Sequence, residues 1–199
     1  MIQFLETICI RDGKPQHLEW HQRRMDATLG HFYPVHYHTW ALEKCIQVPE
    51  NFQTGHVRCR VVYDAHKLDI HYYPYAERKI SKLKMVEVPE GYDYRYKYAD
   101  RSVIEELFSQ IDDADDILMV RNGWVMDTSI ANIAFLKNGR WYTPGTPLLA
   151  GTTWKRLIAG GIINPQVIHQ SELATFEGCK LLNAMISFEK SSITPIHFY

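Results

Sequence analysis

Lys97 lies within an aromatic stretch of the sequence that runs from Tyr94 to Tyr98. Partial desolvation by neighbouring rings favours the neutral form of an amine, and a neutral lysine is a nucleophile toward a carbonyl carbon. The alternative is structural, since a lysine on an edge strand often packs its stem past tyrosines and keeps its charge in water. Taken alone, this lysine leaves both roles open.

Two further stretches carry polar groups that would complement such a lysine. Asp127 and Asn132 interrupt apolar strands, and a buried carboxylate must be paired or must serve a positive group. Gly151, Thr152 and Thr153 precede a helical pattern, where N–H groups and hydroxyls bind a phosphate or simply cap the helix. Together the three groups match the needs of pyridoxal 5′-phosphate (PLP). The lysine would react with its aldehyde, the carboxylate would pair with its protonated ring nitrogen, and the helix start would bind its phosphate.

Hydrophobic periodicity predicts the elements that must position these groups. The first half is predicted to contain a strand over 2–10 that turns at 11–14, helices over 18–32 and 40–46, a hairpin of 56–63 with 67–73, and a strand over 79–88. A linker is expected near 90–96. The second half is predicted to contain a helix over 103–111 capped by Asp100, strands over 117–120, 124–126 and 133–136, a helix over 152–159, a strand over 167–169, a helix over 171–176, and strands over 180–186 and 193–197.

Composition excludes several classes of protein. The 199 residues include 22 Lys+Arg and 23 Asp+Glu, a formal net charge of -1, which argues against a nucleic-acid binder held by a large positive field. The hydrophobic fraction of 46% is typical of a globular chain. No stretch approaches the roughly 18 apolar residues of a membrane span, and no basic leader precedes an apolar run, so we expect a cytoplasmic protein.

His31, His36 and His38 crowd around the stretch Phe32–Pro34. A metal site needs ligands that converge, usually with help from carboxylates, and this cluster has no carboxylate at a suitable spacing. We therefore expect a loop rich in histidine and tyrosine, and no metal site.

Short motifs follow one another in a characteristic order along the chain. They are Leu5–Thr7, His21–Arg24, Lys97, Gly123–Asp127 with Asn132, Thr143–Pro144, Leu149–Thr153, Asn183–Met185 and Thr194–Ile196. In this order the chain resembles the class IV aminotransferases, the fold-type IV PLP enzymes that include branched-chain and D-amino-acid aminotransferases and 4-amino-4-deoxychorismate lyase. The resemblance extends over nearly the whole chain.

The resemblance implies a fold and an assembly. The expected fold class is α+β / α/β, in the two-domain D-amino-acid-aminotransferase-like architecture, with residues 1–95 as a small α+β domain. Residues 96–199 would form a barrel-like α/β domain that carries most of the cofactor site, with PLP in the cleft between the domains. Relatives usually begin with a further hairpin, so the architecture is expected to be truncated at the N-terminus. Family members are homodimers, and we expect a homodimer here.

The resemblance also assigns catalytic and cofactor roles. Lys97 would attach the cofactor covalently and later move a proton, and Asp127 would pair with the pyridinium nitrogen. The family usually has Glu at that position, so the shorter Asp127 must approach the ring more closely or act through water. That departure could weaken PLP binding.

Phosphate and substrate groups have candidate partners as well. The resemblance implies that Arg24 holds the phosphate, although its neighbour Arg23 is an alternative because only one of the two can face the pocket. The phosphate cup would be completed by Thr152, Thr153 and the backbone of Asn183 and Ala184. Arg58 and Arg60 share a strand face, and they would either bind a substrate carboxylate or be plain surface charges.

The residues after Lys97 favour one reaction over another. Tyr98–Arg101 resembles the K-x-x-N-R of aminodeoxychorismate lyase, with Asp in place of Asn, and Thr7 falls where that lyase carries a threonine implicated in pyruvate release. The leading hypothesis is a lyase resembling 4-amino-4-deoxychorismate lyase, which eliminates pyruvate to give 4-aminobenzoate for folate biosynthesis. The first alternative is a class IV aminotransferase acting on a small amino acid, branched-chain or D-amino acid. The second is a catalytically impaired PLP-binding or cofactor-free relative.

Overall fold

The computed structural model describes residues 1–34, 40–195 and 197–198. The chain forms two compact units. Unit 1 consists of Met1–Glu77 and Tyr96–Asp100, and unit 2 consists of Arg78–Arg95 and Arg101–Tyr199. The chain thus passes between the units after residues 77, 95 and 100, whereas the sequence placed one boundary at residue 95.

Unit 1 is built on a four-stranded antiparallel sheet in the order β2-β1-β3-β4. Its strands are β1 (Phe4–Arg11), β2 (Lys14–Pro15), β3 (His56–Tyr63) and β4 (Leu68–Pro74). Its helices are α1 (Leu18–Phe32) and α2 (Leu42–Cys45), and a 3₁₀ turn follows at Glu50–Phe52. The turn between β1 and β2 lies at Asp12 and Gly13, which both have positive φ, as their Asp-Gly sequence predicts.

Helix α1 packs against one face of this sheet, here called the α1 face. Met25 and Leu29, one helical turn apart, are fully buried in the same core as Phe4, Ile8 and Ile10 of β1. Strand side chains alternate between faces, so β1 also sends every second side chain to the other side of the sheet, here called the second face.

The segment Tyr96–Asp100 belongs to unit 1 because it pairs with the start of β1. Leu5 N donates a hydrogen bond of 2.8 Å to Lys97 O, and Ala99 N donates one of 2.9 Å to Gln3 O. The main chain at Lys97 is therefore fixed to a strand that lies more than ninety residues earlier in the sequence.

Aromatic rings on both sides of Lys97 reinforce this attachment. The Tyr98 ring centroid lies 5.6 Å from that of Phe4, on the α1 face. Tyr96 stacks on His31 at 4.9 Å and meets Phe32 edge-on at 4.8 Å. Such aromatic pairs contribute stabilisation beyond the burial of each ring. The tyrosines next to Lys97 are therefore part of the core of unit 1.

Within the described residues, unit 2 contains two four-stranded sheets, in the orders β12-β5-β6-β7 and β10-β9-β8-β11. The first comprises β5 (Lys82–Glu87), β6 (Asp116–Arg121), β7 (Trp124–Thr128) and β12 (His197–Phe198). The second comprises β8 (Asn132–Lys137), β9 (Arg140–Pro144), β10 (Ile163–Gln166) and β11 (Gly178–Leu182). Helices α3 (Ser102–Phe108) and α4 (Thr152–Ala159) and a 3₁₀ helix at Gln170–Thr175 accompany them.

Long-range pairing explains why residues 78–95 lie in unit 2. Strand β5 pairs in parallel with β6, and a parallel pair needs a long crossover that local sequence does not reveal. The hairpins β6–β7 and β8–β9 are local, and each turns at an Asn-Gly pair with positive φ, at Asn122–Gly123 and Asn138–Gly139. The sequence predicted both turns.

Two predicted helices are wrong in extent. In place of the helix predicted over 40–46, the structure has only the single turn α2. Trp40 lies before this turn and donates its indole N–H to Asp64 O at 3.1 Å. The helix predicted to reach residue 111 ends at Phe108, and its N-cap is Arg101 rather than Asp100.

Later predicted strands also differ from the structure. The strand predicted over 180–186 ends at Leu182, because Asn183 Oδ1 accepts hydrogen bonds from the N–H groups of Met185 and Ile186 and turns the chain. The stretch 167–169 is not a strand, since His169 caps the 3₁₀ helix that stands where an α-helix was predicted.

Some predictions fall on residues that the structure does not describe, namely His36 and His38 of the histidine cluster and Ile196 of the last motif and strand. Among the helices that are described, none is long and apolar enough to cross a membrane.

Two neighbouring carboxyl groups at the start of β6 have opposite environments. Asp116 is fully buried, and its Oδ2 has no hydrogen-bond partner; burial raises its pKa. Asp115 Oδ2 accepts hydrogen bonds from Ser81 N at 2.8 Å and Lys82 N at 2.9 Å, and these bonds lower the pKa of Asp115.

We expect Asp116→Asn to change how stability depends on pH. The folded state holds the Asp116 proton more tightly than the unfolded chain, so this group favours folding at low pH and loses that contribution as pH rises through its raised pKa. From about pH 4 upward, the free energy of unfolding should therefore fall in the wild type relative to the variant. Urea unfolding over that range measures the difference.

Asp115→Asn is the matched control, and its effect on stability should depend on pH in the opposite direction. Because the folded-state pKa of Asp115 is lowered, its stabilising contribution is present above the unfolded pKa of about 3.9 and is lost at lower pH. A difference between wild type and Asp116→Asn that does not vary with pH would contradict the assignment of Asp116.

Candidate functional site

A buried carboxylate in unit 1 joins β1 to α1. Glu6 is on the α1 face of β1, and His21 and Arg24 lie three residues apart on α1, where helical geometry makes them neighbours. His21 Nδ1 lies 2.6 Å from Glu6 Oε2, Arg24 Nε donates to Glu6 Oε1 at 2.6 Å, and Arg24 Nη2 donates to Oε2. Glu6 has no exposed surface, and the Arg24 side chain is only 10% exposed.

The charges of these three residues follow from their surroundings. Burial would raise the pKa of Glu6, but the Arg24 charge and the hydrogen bonds from His21 and Arg24 outweigh it and hold the pKa at about 2. Burial lowers the pKa of His21. His21 is therefore neutral at physiological pH, and its Nδ1–H is the donor to the ionised Glu6.

The structure distinguishes Arg24 from its neighbour. Arg23 is exposed, with its guanidinium carbon 5.3 Å from the Trp20 ring centroid, whereas Arg24 faces the inside of unit 1. Of the two candidates for the phosphate ligand, Arg24 is the one whose side chain is held in place by the fold. Its contact with a phosphate stays a prediction.

Several predicted site residues of unit 1 share the second face of its sheet. Thr7 lies directly opposite Arg60, and Cys9 lies opposite Arg58, so Thr7, Arg58 and Arg60 lie on one face. Lys97 is beside Leu5, between Tyr96 and Tyr98, which pack into the core. Lys97 itself lies outside the named strands, in a tight turn in which Tyr98 N donates to Tyr96 O at 2.8 Å.

The neighbouring strand adds side chains to which the sequence assigned no role. His71 of β4 lies opposite Arg60, and Tyr73 lies opposite Arg58, with the Arg58 guanidinium carbon 5.0 Å from the Tyr73 ring centroid. Arg58 is exposed and Arg60 is half-buried. The alternation of β4 together with its register on β3 is the signal that would have placed His71 there.

In unit 2 the carboxylate of Asp127 is buried and held by amides. Its Oδ1 accepts a hydrogen bond of 2.6 Å from Asn132 Nδ2, and its Oδ2 accepts one of 3.0 Å from Leu149 N. Asn132 Nδ2 also donates to Leu149 O at 2.8 Å. The sequence predicted Asp127 and Asn132 as a motif, and the structure brings them into contact at the ends of β7 and β8.

The start of α4 is joined to this pair through Gly151, the N-cap of the helix. A Cβ at Gly151 would lie 2.3 Å from Asn132 Oδ1, so a side chain does not fit there. Thr152 and Thr153 are buried in the first helical turn. Free N–H groups and hydroxyls at a helix start suit an anion.

Asn183 and Ala184 follow β11, whose last residue Leu182 pairs with Asn132. The turn they form is therefore next to the start of β8. Asn183 uses its Oδ1 to fix the turn, as described above, and its Nδ2 donates to Ile130 O at 3.4 Å. This places the predicted backbone contact in the same unit as Asp127, Thr152 and Thr153.

Arg101, the arginine of the motif that follows Lys97, makes a structural contact with this region. Its Nη2 donates to Ser129 O at 2.6 Å. The turn that contains Ser129 is closed by Thr128, whose Oγ1 donates to Ala131 O at 3.1 Å, and it connects Asp127 to Asn132. Among the described residues, no group of His, Cys, Asp and Glu is arranged to hold a metal ion.

Gly151→Ala tests the link between α4 and Asn132. Asn132 is already bonded to Asp127 and Leu149, so it cannot move away from an added methyl group without breaking those bonds. Overpacking of this kind costs about 1–3 kcal/mol, which chemical denaturation will measure.

Gly160→Ala, at the other end of α4, is the matched control. A Cβ there would lie 3.5 Å from Arg156 O, an ordinary contact, and the residue has negative φ. We expect a change of less than about 0.5 kcal/mol. Equal effects of the two substitutions would contradict the steric role of Gly151.

Known proteins resemble this chain in sequence. The family described as "Amino-transferase class IV" matches residues 3–196. An uncharacterised protein of Haemophilus influenzae is 37% identical over 186 residues, which cover 93% of this chain and 98% of that protein.

Solved structures share the fold. A crystal structure of a candidate 4-amino-4-deoxychorismate lyase from Haemophilus somnus has a TM-score of 0.86 and 33% identity, over 93% of this chain and 97% of that one. The PLP-bound form of a hypothetical aminotransferase from Mycobacterium tuberculosis has a TM-score of 0.73 and 16% identity, over 92% of this chain and 78% of that one. The family match and the identities above 30% over nearly the full length confirm the resemblance in the sequence and its fold-type IV architecture: this chain belongs to the class IV aminotransferase family.

Proposed function

We propose that this enzyme is a PLP-dependent lyase that converts 4-amino-4-deoxychorismate into 4-aminobenzoate and pyruvate. The observation that carries the proposal is that the main chain of Lys97 is hydrogen-bonded to β1, the strand that also contains Thr7. The similarity to the Haemophilus somnus structure, at 33% identity, supports this reaction class.

The donor set fits PLP. Asp127 provides a carboxylate that is 4% exposed and has a fixed orientation, which suits a protonated ring nitrogen. The buried start of α4, with Thr152 and Thr153, suits a phosphate, and Arg24 provides a buried cation. When bound, PLP supplies an electron-withdrawing ring that stabilises negative charge on the carbon next to the substrate nitrogen.

The protein's own groups would then move two protons. Lys97 Nζ takes the proton from the ring carbon that bears the substrate nitrogen, and the C–O bond to the enolpyruvyl group breaks. Thr7 Oγ1 donates a proton to the departing group, which leaves as pyruvate. Asp127 would pair with the ring nitrogen of the cofactor. The reaction needs no oxidant and no second substrate.

Arg58 and Arg60 would bind substrate carboxylates on the same sheet face. The proposal also includes a homodimer and a role in folate biosynthesis, which follow from the resemblance to the family, and a cytoplasmic location.

The lyase proposal predicts turnover without a keto acid. Purified protein loaded with PLP and given 4-amino-4-deoxychorismate should release pyruvate and 4-aminobenzoate in equal amounts. Lys97→Ala should abolish both the release and the visible absorbance of lysine-bound PLP, because the amine is lost. Lys44→Ala, which removes an exposed lysine of α2, should retain both.

Other outcomes identify the alternatives. Turnover that requires a keto acid and leaves the amino group on the cofactor would show an aminotransferase for a small amino acid. A protein that binds no PLP would be the cofactor-free relative. Each result would replace the lyase proposal.

Asp127→Glu tests whether aspartate is adapted or defective at this position. The hydrogen bonds from Asn132 and Leu149 fit the shorter side chain, so an extra methylene should displace the carboxylate. We expect kcat/KM to fall by about tenfold or more, roughly 1.4 kcal/mol in the barrier. A gain of similar size would instead favour the impaired-relative hypothesis.

A further inference from the structure

Glu6 is a buried charge to which the proposed reaction assigns no step. An ionised carboxylate inside a protein is costly unless charged or hydrogen-bonding partners compensate it. Glu6 has such partners in His21 and Arg24, and Arg24 is the predicted phosphate ligand. The position of Glu6 suggests that its function is exerted through Arg24.

The contact between Glu6 and Arg24 fixes the plane of the guanidinium. Both carboxylate oxygens are used, one by Nε and the other by Nη2, which is the bidentate geometry that restricts an arginine most strongly. The backbone of Arg24 is held as well, since Thr28 Oγ1 donates to Arg24 O at 2.8 Å. The guanidinium therefore has one orientation relative to β1 before any ligand binds.

His21 completes the arrangement without adding charge. As a neutral donor on Oε2, it helps keep Glu6 ionised and leaves the guanidinium as the single positive charge of the group. The three residues together carry no net formal charge, and they hold the Arg24 side chain in one direction. Pre-ordering of this kind removes the side-chain entropy that the arginine would otherwise lose when it binds an anion.

We propose that Glu6 is a positioning residue, which holds Arg24 in the orientation that binds the phosphate monoester of the cofactor. This inference rests on the proposed function, and it makes the contribution of Glu6 specific to the phosphate rather than to the cofactor ring. The competing explanation is that the contact only fastens α1 to β1.

The two explanations differ in how they treat a ligand without a phosphate. We would measure equilibrium affinities of wild type and Glu6→Gln for PLP and for pyridoxal, which lacks the phosphate. In Glu6→Gln the PLP affinity should fall about tenfold or more, the size typical of removing a residue that orients a ligand-binding group. The pyridoxal affinity should stay within about twofold of the wild type, and inorganic phosphate should compete less well with PLP.

Arg23→Gln is the matched control. Arg23 is adjacent in sequence and exposed, so its loss should leave the ratio of PLP to pyridoxal affinity unchanged. Glu6→Asp provides a second test if Glu6→Gln does not fold. It keeps the charge but is too short to bond both arginine nitrogens, and it should lower the affinity ratio to an intermediate value.

Three results would overturn the inference. Equal losses of PLP and pyridoxal affinity would show that Glu6 only stabilises the fold, and a rise in PLP affinity would show that Glu6 merely neutralises Arg24. In both cases the proposed function would stand, because the wild type binds PLP. A wild type that binds no PLP would overturn the proposed function and this inference together.

Discussion

A carboxylate without access to water must find its partners inside the protein, and each unit of this enzyme contains one that bears on the candidate site. In unit 1, Glu6 is compensated by a formal charge, that of Arg24, and by a neutral imidazole. In unit 2, Asp127 accepts hydrogen bonds from amide groups, one from Asn132 and one from the main chain at Leu149. Amides carry no net charge, whereas the Glu6 group includes the cation of Arg24 and is formally neutral overall.

Strand β1 serves two purposes through its alternation. Its even-numbered residues, Glu6 among them, face α1 and belong to the core, while Thr7 faces the other side together with Arg60. The same strand also accepts the segment that carries Lys97. A single eight-residue strand therefore contacts residues that are proposed for phosphate binding, substrate binding and proton transfer, and it holds them in place.

Much of the local structure could be predicted from the sequence, because hairpins and amphipathic helices are encoded by neighbouring residues. The turns at Asn122–Gly123 and Asn138–Gly139 and the length of α1 are examples. The motifs also identified Asp127 with Asn132. The parallel pairing of β5 with β6 could not be predicted, since no local pattern specifies a partner about thirty residues away.

Side-chain contacts between distant segments were equally hidden from the sequence. The bonds from Glu6 to His21 and Arg24 cross from strand to helix, and the fit of Gly151 against Asn132 depends on the absence of a single atom. Periodicity reports which side of an element is apolar, but it does not report which polar groups meet. A buried acidic residue among the mostly apolar residues of β1 was the available signal for the first of these contacts.

The attachment of the main chain at Lys97 has a consequence for how the enzyme would work over repeated cycles. The carbonyl of Lys97 is bonded to β1, and the tyrosines on either side are fixed in the core, so the backbone entropy of this residue is lost during folding rather than during each turnover. Mobility is then confined to the flexible four-carbon stem of the lysine. If Lys97 acts as proposed, its amine would move from one bonding partner to another by rotation of the side chain, while the main chain stays in place.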